Sequence, residues 1–283
     1  MDPLIRNIAL SLQSVYPADE ALSIAKRLMC HICDVTSTRL LMDGLPPLTC
    51  DHHRRIEEAE KRLLNHEPLQ YILEEEWFCG LPFRVGSGVL IPRPETEELV
   101  DLILHSHSLP EGSLLDVGTG SGCIAVALAK KGAWKKVYGW DISEEALSVA
   151  RENVLRHGVQ VQLDQVDILS VNPTDFVESF DVIVSNPPYI SVHESDSMRP
   201  NVLSYEPHTA LFVPDDDPLL FYRVIAQFAR VALKDKGTLY FEISSRLGEE
   251  TREIIRQNGF EWVELIRDMQ GNDRMIRARR KIE

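Results

Sequence analysis

The stretch Leu114-Leu-Asp116-Val-Gly118-Thr119-Gly120-Ser121-Gly122-Cys123-Ile-Ala-Val-Ala-Leu-Ala129 decides the architecture. An apolar run of strand length ends on three alternate glycines and passes directly into an apolar stretch of helical length. Glycines at a strand-to-helix turn let the backbone approach a ligand closely, and open α/β sheets bind ligands in the crevice beyond the carboxyl ends of their strands. A dinucleotide fingerprint would need glycine at position 123, where Cys123 stands. No Walker lysine follows either, which disfavours a phosphate cradle.

Working outward, Lys136–Trp140, Val161–Leu163, Phe180–Val184 and Gly237–Ile243 read as further strands with helical stretches between them. That alternation predicts an α/β fold, an open and mostly parallel sheet covered by helices on both faces. Towards the N-terminus the texture changes. Leu4, Ile5, Ile8, Leu12 and Val15, then Ala21, Ile24, Ala25, Leu28, Met29 and Ile32, then Ile56, Ala59, Leu63 and Leu64 recur at helical spacing, with Thr49 or Asp51 as cap of the last helix. Between these blocks, Tyr71–Leu73, Trp77–Cys79, Phe83–Val85 and Val89–Ile91 are short strand-like runs broken by Gly80, Pro82, Gly86 and Gly88. The expected organisation is a small helical bundle over 1–67, a β-hairpin linker over 68–94 and the α/β domain over 95–283.

Two acids follow the glycine turn in consecutive βα units. Asp141 ends the second strand, where a carboxylate can accept from both ribose hydroxyls of a nucleoside; the competing reading makes it a cap for the helix beginning near Ser143. Asp167 lies beyond the third strand, placed to accept from an adenine amino group, with Ile168 and Leu169 beside it for the purine face. The fourth strand ends in Asn186-Pro187-Pro188-Tyr189. Consecutive prolines fix φ and remove two backbone donors, so their carbonyls can only accept. The Asn186 side-chain oxygen and the Pro187 carbonyl can each take one N–H of a planar NH₂ group, and Tyr189 can stack on its plane. An amide nitrogen is a poor nucleophile because its lone pair is delocalised. Two acceptors holding both protons orient it and favour pyramidalisation, so catalysis would come from orientation and preorganised electrostatics. The cationic product is acidic enough to need no strong general base.

The formal net charge is −14, an unfavourable balance for a protein that grips nucleic acid by its phosphates. The dense basic cluster Arg277, Arg279, Arg280 and Lys281 reads as a solvated end. The first residues lack the apolar core of a signal peptide, no apolar run approaches a membrane span, and five scattered cysteines suit a reduced, cytoplasmic compartment. Cys30, Cys33, Cys50, His52 and His53 have some of the spacing of a zinc knuckle, but Cys30 and Cys33 fall in an apolar helical run, and no metal is expected. The segment from Ser191 to Pro218 is long for a loop, as lids and binding loops are, and Tyr205, Glu206 and His208 on it could approach a substrate.

Three motifs together resemble one family: Val89-Leu-Ile-Pro-Arg93-Pro-Glu95-Thr-Glu-Glu98, Leu114–Ala125, and Ser185-Asn-Pro-Pro-Tyr-Ile190. The chain is similar to the HemK/PrmC family, glutamine N5-methyltransferases of peptide chain release factors, over nearly its whole length. The resemblance implies a class I methyltransferase (Rossmann-like) fold over 95–283, S-adenosylmethionine as cofactor, and the glutamine of a Gly-Gly-Gln loop as acceptor, with an effect on translation termination. It implies that Gly118, Thr119, Gly120, Ser121, Gly122, Asp141, Asp167, Ile168 and Asn186 hold the cofactor. Asn186, Pro187, Pro188 and Tyr189 would hold the glutamine amide, with Asn186, Pro187 and Tyr189 catalytic. Arg93 and Glu95 would line or brace that site, and the N-terminal helices would recognise the release factor, without direct contact to nucleic acid or membrane. Val213–Leu219 departs from a glycine-containing family segment, which puts the local loop geometry in question. The rivals are a ribosomal-protein glutamine methyltransferase and an enzyme acting on adenine N6 or guanine N2, which must take its base out of a stack.

Overall fold

The computed structural model describes residues 2–107 and 112–280. It divides into two compact units, Met1–Glu75 with Arg199–Tyr205, and Glu76–Met198 with Glu206–Glu283.

The first unit is helical: α1 (Pro3–Leu12), α2 (Ala18–Ile32), α3 (Ser37–Asp43), α4 (Cys50–Leu64) and α5 (Leu69–Leu73). Asp2 caps α1 by accepting from the Leu4 N–H, and Pro3 supplies the preset φ of a first helical position. Thr49, not Asp51, caps α4, in a reciprocal box with His52. Ile5, Ile8, Leu12, Leu28, Met29, Ile56 and Leu63 close into one core. Tyr71–Leu73 reads as strand-like but forms helix α5. The Pro68 carbonyl accepts from the Tyr71 and Ile72 N–H groups, and a single turn buried at Leu69, Tyr71 and Leu73 mimics the alternation of a strand. Arg199–Tyr205 carries a short helix over Pro200–Leu203. Here Arg199 pairs with Glu20 and the Tyr205 hydroxyl donates to the Asn65 carbonyl at 2.8 Å.

The second unit opens with a hairpin, β1 (Glu75–Phe78) and β2 (Leu81–Arg84). Its two-residue turn has Cys79 at φ 53° and Gly80 at φ 72°, the positive pair that matches the twist of the flanking strands. Val89–Ile91 is no strand. Its N–H groups are met outside any ladder, Val89 donating to the nearby Gly86 carbonyl and Ile91 to the Glu206 carboxylate far along the chain. Then follow α6 (Pro94–Ser106), β3 (Ser113–Val117), α7 (Cys123–Lys131), β4 (Lys136–Asp141), α8 (Glu144–His157), β5 (Gln162–Gln165), β6 (Phe180–Ser185) and β7 (Ile190–Ser191). After α9 (Pro200–Leu203) come α10 (His208–Leu211), β8 (Phe212–Val213), α11 (Leu220–Ala232), β9 (Leu233–Glu242), α12 (Gly248–Gln257), β10 (Trp262–Arg267) and β11 (Asp273–Arg279).

Seven strands form one sheet in the order β10-β11-β9-β6-β3-β4-β5. β9, β6, β3, β4 and β5 pair in parallel, and β11 runs antiparallel to both of its neighbours. Leu115, Ile183, Leu239 and Phe241 face one core with Tyr222 and Phe228 of α11, while Leu114, Val182, Val184 and Tyr240 face another with α6 and α7. Both faces are buried, so the central strands read as continuous apolar runs. The chain leaves β3 towards β4 and β5 on one side and returns through β6 on the other. The order therefore reverses between β3 and β6, and the crevice opens at their carboxyl ends.

The basic cluster near the C-terminus is not a solvated end. Arg277 and Arg279 lie on β11: Arg277 pairs with Glu264 at 2.6 Å, and both guanidinium groups stack over Trp262. Arg280 donates to the Leu233 carbonyl. Lys281 lies outside the described residues. Among the described residues no helix is long and apolar enough to cross a membrane, and no group of three or more His, Cys, Asp or Glu is placed to hold a metal ion.

Candidate active site

β3 delivers Asp116 and then the glycine turn into the crevice. The turn is fastened to β4 by Gly118 and Thr119 N–H groups, which both donate to the Trp140 carbonyl. Gly118, Gly120 and Gly122 have φ of 75°, 56° and 78°, the left-handed region that side-chain-bearing residues resist. A Cβ on Gly118 or Gly120 would meet no atom within 4 Å, whereas one on Gly122 would stand 3.2 Å from the Ala150 Cβ. The first two glycines thus expose backbone to open space, and the third lets α8 pack closely. Asn153, fully buried on α8, holds the turn from below, donating to the Ser121 carbonyl at 2.9 Å and the Arg84 carbonyl at 3.0 Å. Asn153 is not evident from a motif; its signal in the sequence is a polar residue on the apolar face of a helix.

Asp141 does not cap α8, since Ser143 does so by accepting from Ala146. Its carboxylate instead accepts from the Gly120 N–H at 2.8 Å and from Ser143 at 2.9 Å, so it supports the glycine turn from the end of β4. Asp167, past the end of β5, accepts from the Leu169 N–H, with Ile168 half-buried beside it and Leu169 exposed. Asp116 is fully buried. One of its oxygens accepts from Thr119 Oγ1 at 2.6 Å and from the Ala125 N–H, and the other, Oδ1, has no partner among the described residues. Burial pushes its carboxyl up to about 7. Open glycine backbone, an orphaned buried oxygen and acids at the ends of consecutive strands fit a bound nucleoside carrying an amino group.

β6 ends beside β3, with Ser185 opposite Val117 in the register and its hydroxyl donating to the Val117 carbonyl at 2.7 Å. This bond locks Asn186-Pro187-Pro188-Tyr189 alongside the glycine turn. Pro187 is buried and Asn186 and Tyr189 are half-buried. Asn186 Nδ2 donates to Thr96 Oγ1 at 3.4 Å, and Thr96 Oγ1 donates to Glu242 Oε2 at 2.6 Å. Burial pushes the Tyr189 phenol up to about 12, with the charge of Glu242 acting in the same sense, so its ring remains neutral. Burial likewise raises the Glu242 carboxyl to about 7, opposed by the Thr96 hydrogen bond and by Arg274.

Arg93 and Glu95 sit apart in role. Arg93 pairs with Glu206 at 2.6 Å; the Glu206 side chain is 1 % exposed and that of Arg93 34 %. Arg93 is therefore a brace between the segment entering α6 and the one entering α10. Glu95 bears electrostatically on Tyr189 and Glu242. Of the loop residues expected near substrate, Tyr205 is engaged inside the helical unit and Glu206 is taken by Arg93. The segment from Ser191 to Pro218 is structured, closed at its base by the parallel pairs Ile190–Phe212 and Ser191–Val213. The departing stretch contributes to that closure, with Asp215 accepting from the Ser191 hydroxyl and the His193 N–H.

Comparison with known proteins agrees with this geometry. Residues 109–261 match a family described as a methyltransferase domain, and residues 4–73 match the PrmC N-terminal domain. A release factor glutamine methyltransferase of Bacteroides thetaiotaomicron is 43% identical over 281 residues, covering 99% of this chain and 100% of that one. One of Streptococcus pneumoniae is 44% identical over 222 residues, 78% of each. A solved methyltransferase from Pyrococcus furiosus, 20% identical, covers 80% of this chain and all of that one with a TM-score of 0.53, a likeness of fold. The chain belongs to the release factor glutamine methyltransferase family.

Proposed function

We propose that this chain methylates the N5 nitrogen of the glutamine in the Gly-Gly-Gln motif of peptide chain release factors, in the cytoplasm, and so tunes translation termination. The observation that supports the reading is the pairing of Ser185 with Val117, which brings the Asn186-Pro187 segment beside the open glycine turn. The cofactor, S-adenosylmethionine, supplies an electrophilic methyl group. Gly118–Gly122, Asp141, Asp167 and Ile168 would hold it, with Asp116 Oδ1 available to an amino group. The substrate amide would give one N–H to Asn186 Oδ1 and one to the Pro187 carbonyl, its plane against Tyr189. Held this way its nitrogen would be fixed in one orientation, the proton it loses on methylation would pass to water, and these residues would contribute orientation and fixed dipoles, not a base. The helical unit would engage the body of the release factor.

A labelled-methyl transfer assay tests this, with unmethylated release factor, DNA and ribosomal subunits offered together. Label on the Gly-Gly-Gln glutamine is expected; label confined to ribosomal protein or nucleic acid overturns the substrate. The intact factor should also be used with higher kcat/KM than a short Gly-Gly-Gln peptide, and equal values would leave the helical unit without a role in recognition.

Asp141→Asn is expected to weaken S-adenosylmethionine binding about 10- to 100-fold, because a hydrogen bond to a charged group contributes about 1.5–3 kcal/mol. Titration calorimetry measures it. An unchanged Kd with a lowered Tm would restrict Asp141 to supporting the glycine turn.

A further inference from the structure

Asn186 can serve as an acceptor only if its carboxamide is turned one way. A planar amide with two similar ends has two orientations related by a half-turn, and the wrong one presents NH₂ to the NH₂ of the substrate, donor against donor. Something must select between them before substrate arrives.

The selecting groups lie behind Asn186. Glu242 is the last residue of β9, which pairs with β6, and Thr96 stands in the first turn of α6. Both are buried, Glu242 at 2 % and Thr96 at 3 % exposure. In its charged form the Glu242 carboxylate can only accept, so in that form the 2.6 Å contact commits the single Thr96 hydroxyl proton to Glu242. That leaves only lone pairs of Thr96 Oγ1 facing Asn186, which must answer with its NH₂, as it does at 3.4 Å. The contact is long, as catalytic hydrogen bonds are before substrate binds. Its direction, not its strength, carries the consequence: Asn186 Oδ1 is turned away from Thr96. Arg274, itself paired with Asp268, and Arg93 favour the charged form of Glu242, while burial and Glu95 oppose it.

We propose that Glu242, acting through the Thr96 hydroxyl, is the positioning residue that fixes the Asn186 carboxamide with its oxygen towards the substrate. The idea rests on the reading of Asn186 as an acceptor for a planar NH₂, whichever molecule carries that group. The bland alternative is that Thr96 and Glu242 merely tie α6 to β9.

Isosteric substitutions separate the two. Thr96→Val keeps shape and removes the hydroxyl; Thr96→Ser keeps the hydroxyl and removes a methyl. The measurements are kcat and KM for methyl transfer, Kd for S-adenosylmethionine and Tm, on the full chain and on whichever acceptor the wild type labels. Thr96→Val is expected to lower kcat about 10- to 100-fold, the scale of a misoriented reacting group. Kd for S-adenosylmethionine should stay as in the wild type, and Thr96→Ser should restore turnover. Glu242→Gln should lower kcat in the wild-type background and add nothing to Thr96→Val, because the two act as one chain. Unchanged kcat in Thr96→Val, or Thr96→Ser failing as far as Thr96→Val, would make the pair structural and overturn the proposal. If the wild type labels nucleic acid in place of a release factor, the substrate reading fails, and the same variants still decide the role of Glu242.

Discussion

Asn186→Ala is expected to remove methyl transfer while Kd for S-adenosylmethionine rises only a few-fold. The variant deletes one of the two acceptors proposed to hold the amide, and with it the Nδ2 group that answers Thr96. Removing a single preorganised hydrogen-bonding group from an active site costs on the order of 10²–10³ in kcat. Here the loss should reach the upper end or beyond, since an amide nitrogen free to rotate presents its delocalised lone pair in no defined direction. Cofactor affinity should survive because the glycine turn, Asp141 and Asp167 belong to β3, β4 and β5, on the other side of the crevice. Single-turnover transfer to a release factor, beside calorimetric titration of the cofactor, checks both halves. Retained turnover would mean that the acceptor cluster has been misread.

Arg93→Ala is expected to lower stability by about 3 kcal/mol, the low end for breaking a buried ion pair, because a third of the Arg93 side chain already meets water. Among the described residues Glu206 would be left with a buried carboxylate that keeps its hydrogen bond from the Ile91 N–H and loses its charge partner. At about 2–4 °C per kcal/mol for a unit of this size, Tm should fall by roughly 10 °C. Adding Glu206→Gln should recover much of that loss, since a buried amide demands less of its surroundings than a buried charge. A thermal scan of the single and double variants measures it. The same pair tests the expectation that Arg93 binds substrate, which predicts a raised KM at unchanged Tm and no rescue by Glu206→Gln.

The parts of this molecule legible in its sequence are those whose signal is local. β3, β4 and β6 are apolar runs because both their faces are covered, and the glycine turn needs left-handed backbone at three alternate positions. What was illegible depends on partners far along the chain. Thr96 and Glu242 are 146 positions apart and Arg93 and Glu206 are 113 apart, so neither partnership leaves a spacing to read. β10 and β11 were missed because Glu264, Arg267, Arg274 and Arg277 interrupt their apolar pattern, and the charge that looked like a tail is paired within a strand. α5 failed for the opposite reason, since a five-residue turn buried at every second position carries the pattern of a strand.

The membership of Arg199–Tyr205 in the helical unit bears on how the gene can be cut. A truncation that begins at Glu76 keeps these seven residues but strips away Glu20 and Asn65, to which Arg199 and Tyr205 are fastened. The orphaned piece lies in the chain between the Ile190 pairing and the Glu206 brace, so a shortened protein would lose the anchors of its 191–218 segment as well as the helices themselves. The first unit draws seven residues from a later stretch of the chain, so the two are expected to be inherited, swapped and engineered as a single piece.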